Sequence, residues 1–245
     1  MDVSRYLLPF FALLLFLPNS PALGAALTAD EIIAKAREYL GGEQALDAIH
    51  SIHYEGTFEI GGGETGDVEI IFQKPLQQRV KIVRQNLVEI TGLNQYDGWR
   101  KIMEADNESN WRTILMDPEQ LRELRANTWE NLNFFKGIES RRGRIENEGV
   151  VQLGDKECLK LIFVHPRDIT FARYFDRKSG RLLMTRTAEG GEIQEEGEMI
   201  VSGVRFPKQI TLRKDGVVLN RITFHRITLN KTFDSELFDV PSLSR

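Results

Sequence analysis

The sequence predicts a mainly β protein, one large and strongly curved antiparallel sheet with two helical elements, on three observations. Short segments alternating apolar and polar residues run from Ser51 to Leu229, separated by glycine, aspartate and proline turns. One interruption, from Asp117 to Phe135, follows helical spacing instead. No strand–helix–strand rhythm and no short-period repeat appears, so a parallel sheet or a solenoid is excluded.

The N-terminus sets the compartment. Arg5 precedes the apolar run Leu7–Leu17 and then Pro18–Ala26, the pattern of a secretory signal peptide over residues 1–25. Its length, about eleven residues, falls short of the ~20 a bilayer core requires, and no later stretch approaches that, so the mature chain is expected to carry no transmembrane segment. A signal anchor is the alternative. With no cysteine near the cleavage region, a cysteine-linked lipid anchor is excluded. The remaining residues, 26–245, suit one β-rich domain.

Thr28-Ala29-Asp30-Glu31 reads as a capping box opening a helix whose stripe is Ile32, Ile33, Ala36 and Leu40, stopped by Gly41-Gly42. A second short helix is expected over about Gln44–Ile49. From Ser51 the period becomes two: Ile52, Tyr54, Phe58 and Ile60 point one way, His53, Glu55, Thr57 and Glu59 the other, giving one dry and one wet face. Gly61–Gly66 turns the chain into Val68, Ile70 and Phe72. Further strands are expected over Arg79–Arg84, Leu87–Gly92, Gly98–Met103 and Trp111–Met116. Asp117 as N-cap, Pro118 in the first turn and acidic Glu119 announce the mid-chain helix, with Leu121, Leu124, Trp129, Leu132 and Phe135 on its stripe and Arg122, Arg125 and Glu130 turned aside. Glu139–Gly149 reads as a charged connection. A second meander follows from about Val150: Cys158–Val164, Ile169–Phe175, Leu182–Arg186, Glu192–Val201, Pro207–Arg213 and Val217–Leu229.

Charge and chemistry restrict the function. Without Asp2 and Arg5 the 32 basic and 36 acidic residues become 31 and 35, spread without a basic stripe, so nucleic acid is not an expected partner. Cys158 is the single cysteine, so no internal disulfide forms; within a strand pattern it reads as a buried thiol. The four histidines, His50, His53, His165 and His225, show no metal-ligand spacing and no nucleophile elbow, and are read as structural or surface residues. The carboxylates of Glu192–Glu198 read as a solvated strand face with no reason to hold a proton at neutral pH. Gly61–Gly66 lacks the lysine and helix of a phosphate loop. No catalytic residue, cofactor or metal is expected.

Four motifs in order carry a resemblance: Gly41-Gly42-Glu43-Gln44-Ala45-Leu46 before the first strand, Gln95-Tyr96-Asp97-Gly98-Trp99 in the first meander, Val204-Arg205-Phe206-Pro207 opening a late strand, and Phe233–Pro241 at the end. In that order the chain resembles the LolA/LolB-like superfamily, in particular the outer-membrane lipoprotein-sorting protein-like proteins. The resemblance implies an unclosed β-barrel, helices covering its concave side, a hydrophobic cavity between them for acyl chains, and a periplasmic location. Tyr96–Trp99 is compressed relative to the family spacing, and no arginine is carried over as the lid lock.

The leading expectation is a periplasmic carrier of lipoprotein acyl chains or other lipids, with an inner- or outer-membrane protein as a possible partner. Trp99, Trp111, Leu121, Leu124, Trp129, Leu132, Phe134 and Phe135 are the candidate cavity or lid contacts. Alternation alone does not separate this from a filled core, so a non-catalytic envelope scaffold stands as the alternative, and an enzyme acting on envelope lipids or glycans as a third.

Overall fold

The computed structural model describes residues 26–61, 63–107 and 110–241, so the expected signal peptide lies outside the described residues. Helix α1 (Ala29–Leu40) opens on the expected box: the Glu31 amide donates to Thr28 Oγ1 at 3.2 Å and the Thr28 amide to Glu31 Oε2 at 2.7 Å. It ends at Gly41, whose φ of +145° suits glycine. After α2 (Glu43–Asp47) come β1 (Ser51–Ile60), β2 (Thr65–Gln73), β3 (Gln77–Arg84), β4 (Leu87–Asn94), β5 (Asp97–Glu104) and β6 (Trp111–Leu115). Helix α3 (Pro118–Asn133) and a 3-10 turn at Ile138–Arg141 lead to β7 (Arg144–Leu153), β8 (Lys156–His165), β9 (Ile169–Asp176), β10 (Leu182–Thr187) and β11 (Glu192–Glu196). The hairpin β12 (Met199–Val201) and β13 (Val204–Phe206) precedes β14 (Gln209–Lys214), β15 (Val217–Leu229) and a 3-10 turn at Ser235–Phe238.

Thirteen strands form one antiparallel sheet in the order β6-β5-β4-β3-β2-β1-β15-β14-β11-β10-β9-β8-β7. The first meander walks away from β1 and the second walks back, so that β15 lies beside β1 with Ile52 opposite Leu229. The two edges, β6 and β7, are neighbours in sequence but not in the sheet; the barrel is unclosed, and α3 is the element that joins its lips.

Four expectations need correction. Glu192–Val201 is not one strand: Gly197, at φ +66°, breaks it, and Val204–Phe206 then pairs with Met199–Val201 as a separate hairpin. β7 starts at Arg144, inside the presumed charged connection. As an edge strand with a bulge between Asn147 and Gly149 it carries polar side chains that read as loop. The second helix starts at Glu43 and ends at Asp47. The outer face of β1 is wet only in part: Thr57 is exposed, but His53 is buried edge-on against Phe233, 5.4 Å between ring centroids.

That contact belongs to the C-terminal strap. Phe233–Val240 crosses the convex face, with Phe238 fully buried and its carbonyl accepting from Trp99 Nε1 at 2.9 Å. On the concave side α1 packs Ile32, Ile33 and Ala36 against Leu159, Leu161, Phe163 and Phe175. Leu132 of α3 joins Leu46, Ile49, Ile52, Phe72 and the hairpin's Val204 and Phe206 in a second cluster. Both helices therefore cover the concave face, and neither fills it.

Candidate functional site

Two adjoining cavities of about 750 and about 360 Å3 occupy the concavity and share Asn127, Phe171 and Ile193 as wall. The larger lies between α3, the β4–β6 lip and the β9–β11 side; the smaller lies deeper, over β1–β3, β14 and β15. Both fall in the ~300–1,000 Å3 range of small-molecule sites. Their floor comes from strand alternation: Ile70 and Val80 are cross-strand partners, as are Ile210 and Ile222, and Ile193 and Leu212. All six are only partly buried, because the space above them is not filled by side chains.

Beside the apolar contacts of Ala126 and Leu132, polar bonds shape and anchor α3. Its aspartate N-cap accepts from the Glu119 and Gln120 amides at 2.9 Å each. The fully buried Thr128 hydroxyl lies 2.7 Å from Gln78 Oε1 of β3. The cavity side of α3 is mostly polar, with Gln120, Glu123, Asn127 and Asn131 among its lining residues.

The structure scatters the eight candidate residues over both faces of the sheet. Leu124 lines the larger cavity, and Phe134 and Phe135 line the smaller one just past the end of α3. Trp129 and Leu132, with Phe134, border a third space of about 180 Å3 against α2, where Trp129 packs under the Arg141 guanidinium. Leu121 packs toward Gly98. Trp99 and Trp111 face the convex side: Gly98 meets the α3 side, so its neighbour Trp99 points outward to the strap, and Trp111 sits opposite Met103 on that same face under Lys101. A Cβ on Gly92 would come within 2.2 Å of the Trp99 ring, so that glycine provides the space for the indole.

Charged residues that strand and helix periodicity placed outside are inside. Glu130, expected to turn aside, is buried, accepts from Arg173 Nη1 and lies 2.7 Å from His165 Nε2. Burial opposes its ionisation, but the Arg173 charge and the His165 and Arg173 hydrogen bonds prevail and hold its pKa below the usual range. Arg173 in turn lies against the Phe135 and Phe163 rings, 4.9 and 4.5 Å from their centroids. Glu195, read as part of a solvated face, lines the smaller cavity. Burial pushes its carboxyl up to about 7, with Arg173 and Arg181 pulling the other way. Sequence reasoning missed it because alternation along Ile193-Gln194-Glu195 puts a glutamate on the concave side with an isoleucine.

A second missed residue is Arg37 of α1, 1% exposed. Its guanidinium reaches Glu43 through Nε at 2.6 Å and Nη2 at 2.9 Å, Asp47 at 2.6 Å, and the carbonyls of Asn133 and Phe134 at 3.1 and 2.9 Å. It thus satisfies the bare C-terminal carbonyls of α3, the role a helix end assigns to a cation. The signal was an arginine in the last turn of a helix whose other inward positions are apolar.

No protein-family model and no curated protein matches the sequence. Among solved structures, a DUF1329 family protein from Desulfovibrio piger aligns at 9% identity over 86% of this chain and 96% of that chain, TM-score 0.57. A LolA superfamily protein from Nitrosomonas europaea aligns at 13% identity over 87% and 98%, TM-score 0.56. The chain has a LolA-like fold, as its motif order implied.

Proposed function

We propose that this protein is a non-catalytic binding protein or carrier for lipids or acylated lipoproteins in the bacterial periplasm, acting with a membrane partner protein that loads or receives the cargo. The observation that carries the reading is the unfilled concavity floored by partly exposed isoleucine, leucine and valine side chains. Each methylene moved from water onto such a floor contributes about 0.8 kcal/mol, so an acyl chain needs shape and dryness and no reacting group. The LolA-like fold and the expected signal peptide support the location and the cargo class.

The test is native mass spectrometry of protein purified gently from the envelope, followed by lipid extraction. A stoichiometric lipid or acylated peptide is the expected result. Protein that arrives empty and also fails to take up a fluorescent fatty acid overturns the reading and leaves the scaffold alternative.

A further inference from the structure

Resting on the reading of the concavity as a ligand site, we propose that its cargo is an amphiphile with an anionic oxygen head group, a carboxylate or a phosphate, held by Arg181 beside Glu195 in the smaller cavity.

The charge inventory of that cavity leads there. Glu130 is matched by Arg173 and His165, and Glu198 by the Tyr39 hydroxyl and, at 3.7 Å, by Arg205. Arg181 is left over. It lines the cavity, makes no ion pair within 4.0 Å among the described residues, and gives only Nη2 to the Glu195 backbone carbonyl at 3.2 Å. Arg181 is only partly buried, so water can hydrate it in the open cavity; a ligand that displaces that water must supply a counter-charge or leave the guanidinium desolvated.

Glu195 does not supply that counter-charge. Its carboxyl makes no hydrogen bond to a described residue, and its pKa of about 7 leaves it substantially protonated at neutral pH. The ionisable groups around it are Arg173 on β9, Arg181 before β10, Tyr54 on β1, and at greater remove Glu130 on α3 and the Tyr39–Glu198–Arg205 group where α1 meets the hairpin. A protonated Glu195 donates to an oxyanion that Arg181 attracts; an ionised one repels it. From this point the apolar floor leads through Ile193 and Phe171 into the larger cavity, which suits a tail.

The experiment compares laurate, dodecyl phosphate and dodecanol by calorimetry on the purified protein and on Arg181→Gln and Glu195→Gln. Between about pH 6 and pH 8.5, where the laurate carboxyl stays ionised, its affinity should fall as pH rises through about 7, while dodecanol should show no such fall. Arg181→Gln should weaken laurate or dodecyl phosphate by about tenfold or more and leave dodecanol unchanged. Glu195→Gln should hold the laurate affinity level across the pH range. Whichever anion binds more tightly names the head group. Equal binding of anionic and neutral probes, or anion binding that ignores Arg181→Gln, overturns the inference and leaves the carrier reading intact. If no probe binds to protein whose thermal melting is normal, the carrier reading falls with it.

Discussion

Arg37 and Phe134 are 97 positions apart, yet Arg37 Nη1 donates to the Phe134 carbonyl at 2.9 Å and so ties the end of the bridging helix to the N-terminal helix. Arg37→Leu removes this bond together with those to Asn133, Glu43 and Asp47. Hydrogen bonds to a charged group contribute ~1.5–3 kcal/mol each, but the freed carboxylates are half exposed and rehydrate, so the expected loss is about 2–3 kcal/mol. Urea denaturation should read that loss, and amide exchange should accelerate at Leu132–Phe135 first. Arg37→Lys should recover only part, because an ammonium cannot present the same fork.

Acid should release the same tie. The Arg37 and Lys136 hydrogen bonds lower the Glu43 pKa from 4.5 to about 2. A carboxylate depressed in the folded state contributes stability that is present above its unfolded value and lost as pH falls through its folded value. The contribution of Glu43 should therefore decline between about pH 4.5 and pH 2. Because Glu43 is half exposed the effect is modest, and it is isolated by difference. Melting temperatures of the parent and Glu43→Gln should differ at neutral pH and converge near pH 2. A gap that persists undiminished in acid would show that the glutamate contributes by packing.

The two faces of the sheet should separate stability from binding. Trp99→Ala opens a hole beneath the strap and strands the Phe238 carbonyl, so about 3–5 kcal/mol of stability should go while the folded fraction binds a fluorescent fatty acid as before. Ile222→Asp, in the wall of the smaller cavity, should do the opposite: about a tenfold or greater loss of probe affinity with a smaller stability change, since its side chain is already partly accessible. Equal effects of the two substitutions on probe binding would mean that the concavity is not where the probe sits.

These two residues also mark how far the sequence was legible. Period-two alternation located nearly every strand, and the caps at Thr28 and Asp117 located both main helices, because those signals are local. Which face is concave is not local: Trp99 and Gly98 differ by one position, and only the pairing of β5 with its neighbours and the path of the strap decide which meets α3. The same holds for Glu130 and Glu195. A helix or strand position reads as polar and outward-facing until the fold supplies a partner from far along the chain, as Arg173 does for Glu130, or encloses the carboxyl in a cavity wall, as it does Glu195. Arg37 was legible only in part: its place in the last turn among apolar inward positions and the nearby Glu43 and Asp47 were in the sequence, but its Asn133 and Phe134 backbone acceptors leave no trace in side-chain identity.

Glu130 and Arg173 offer the sharpest energetic test, because both side chains are buried and each is the other's counter-ion. Glu130→Gln removes the negative charge while keeping the volume, and leaves the Arg173 guanidinium enclosed by Phe135, Phe163 and Phe171. Ring faces attract a cation by ~0.5–2 kcal/mol, less than a buried charge loses with its partner, so the single substitution should cost about 3–5 kcal/mol in urea denaturation. The His165 ring also loses its charged acceptor at 2.7 Å. Arg173→Met should be comparably costly, because it strands a carboxylate whose ionisation the arginine sustains against burial. Glu130→Gln/Arg173→Met together should cost much less than the sum of the two, since the double variant buries no net charge; a double-mutant cycle should return a coupling of about 2 kcal/mol or more. Additive losses would mean that the two groups act independently of each other.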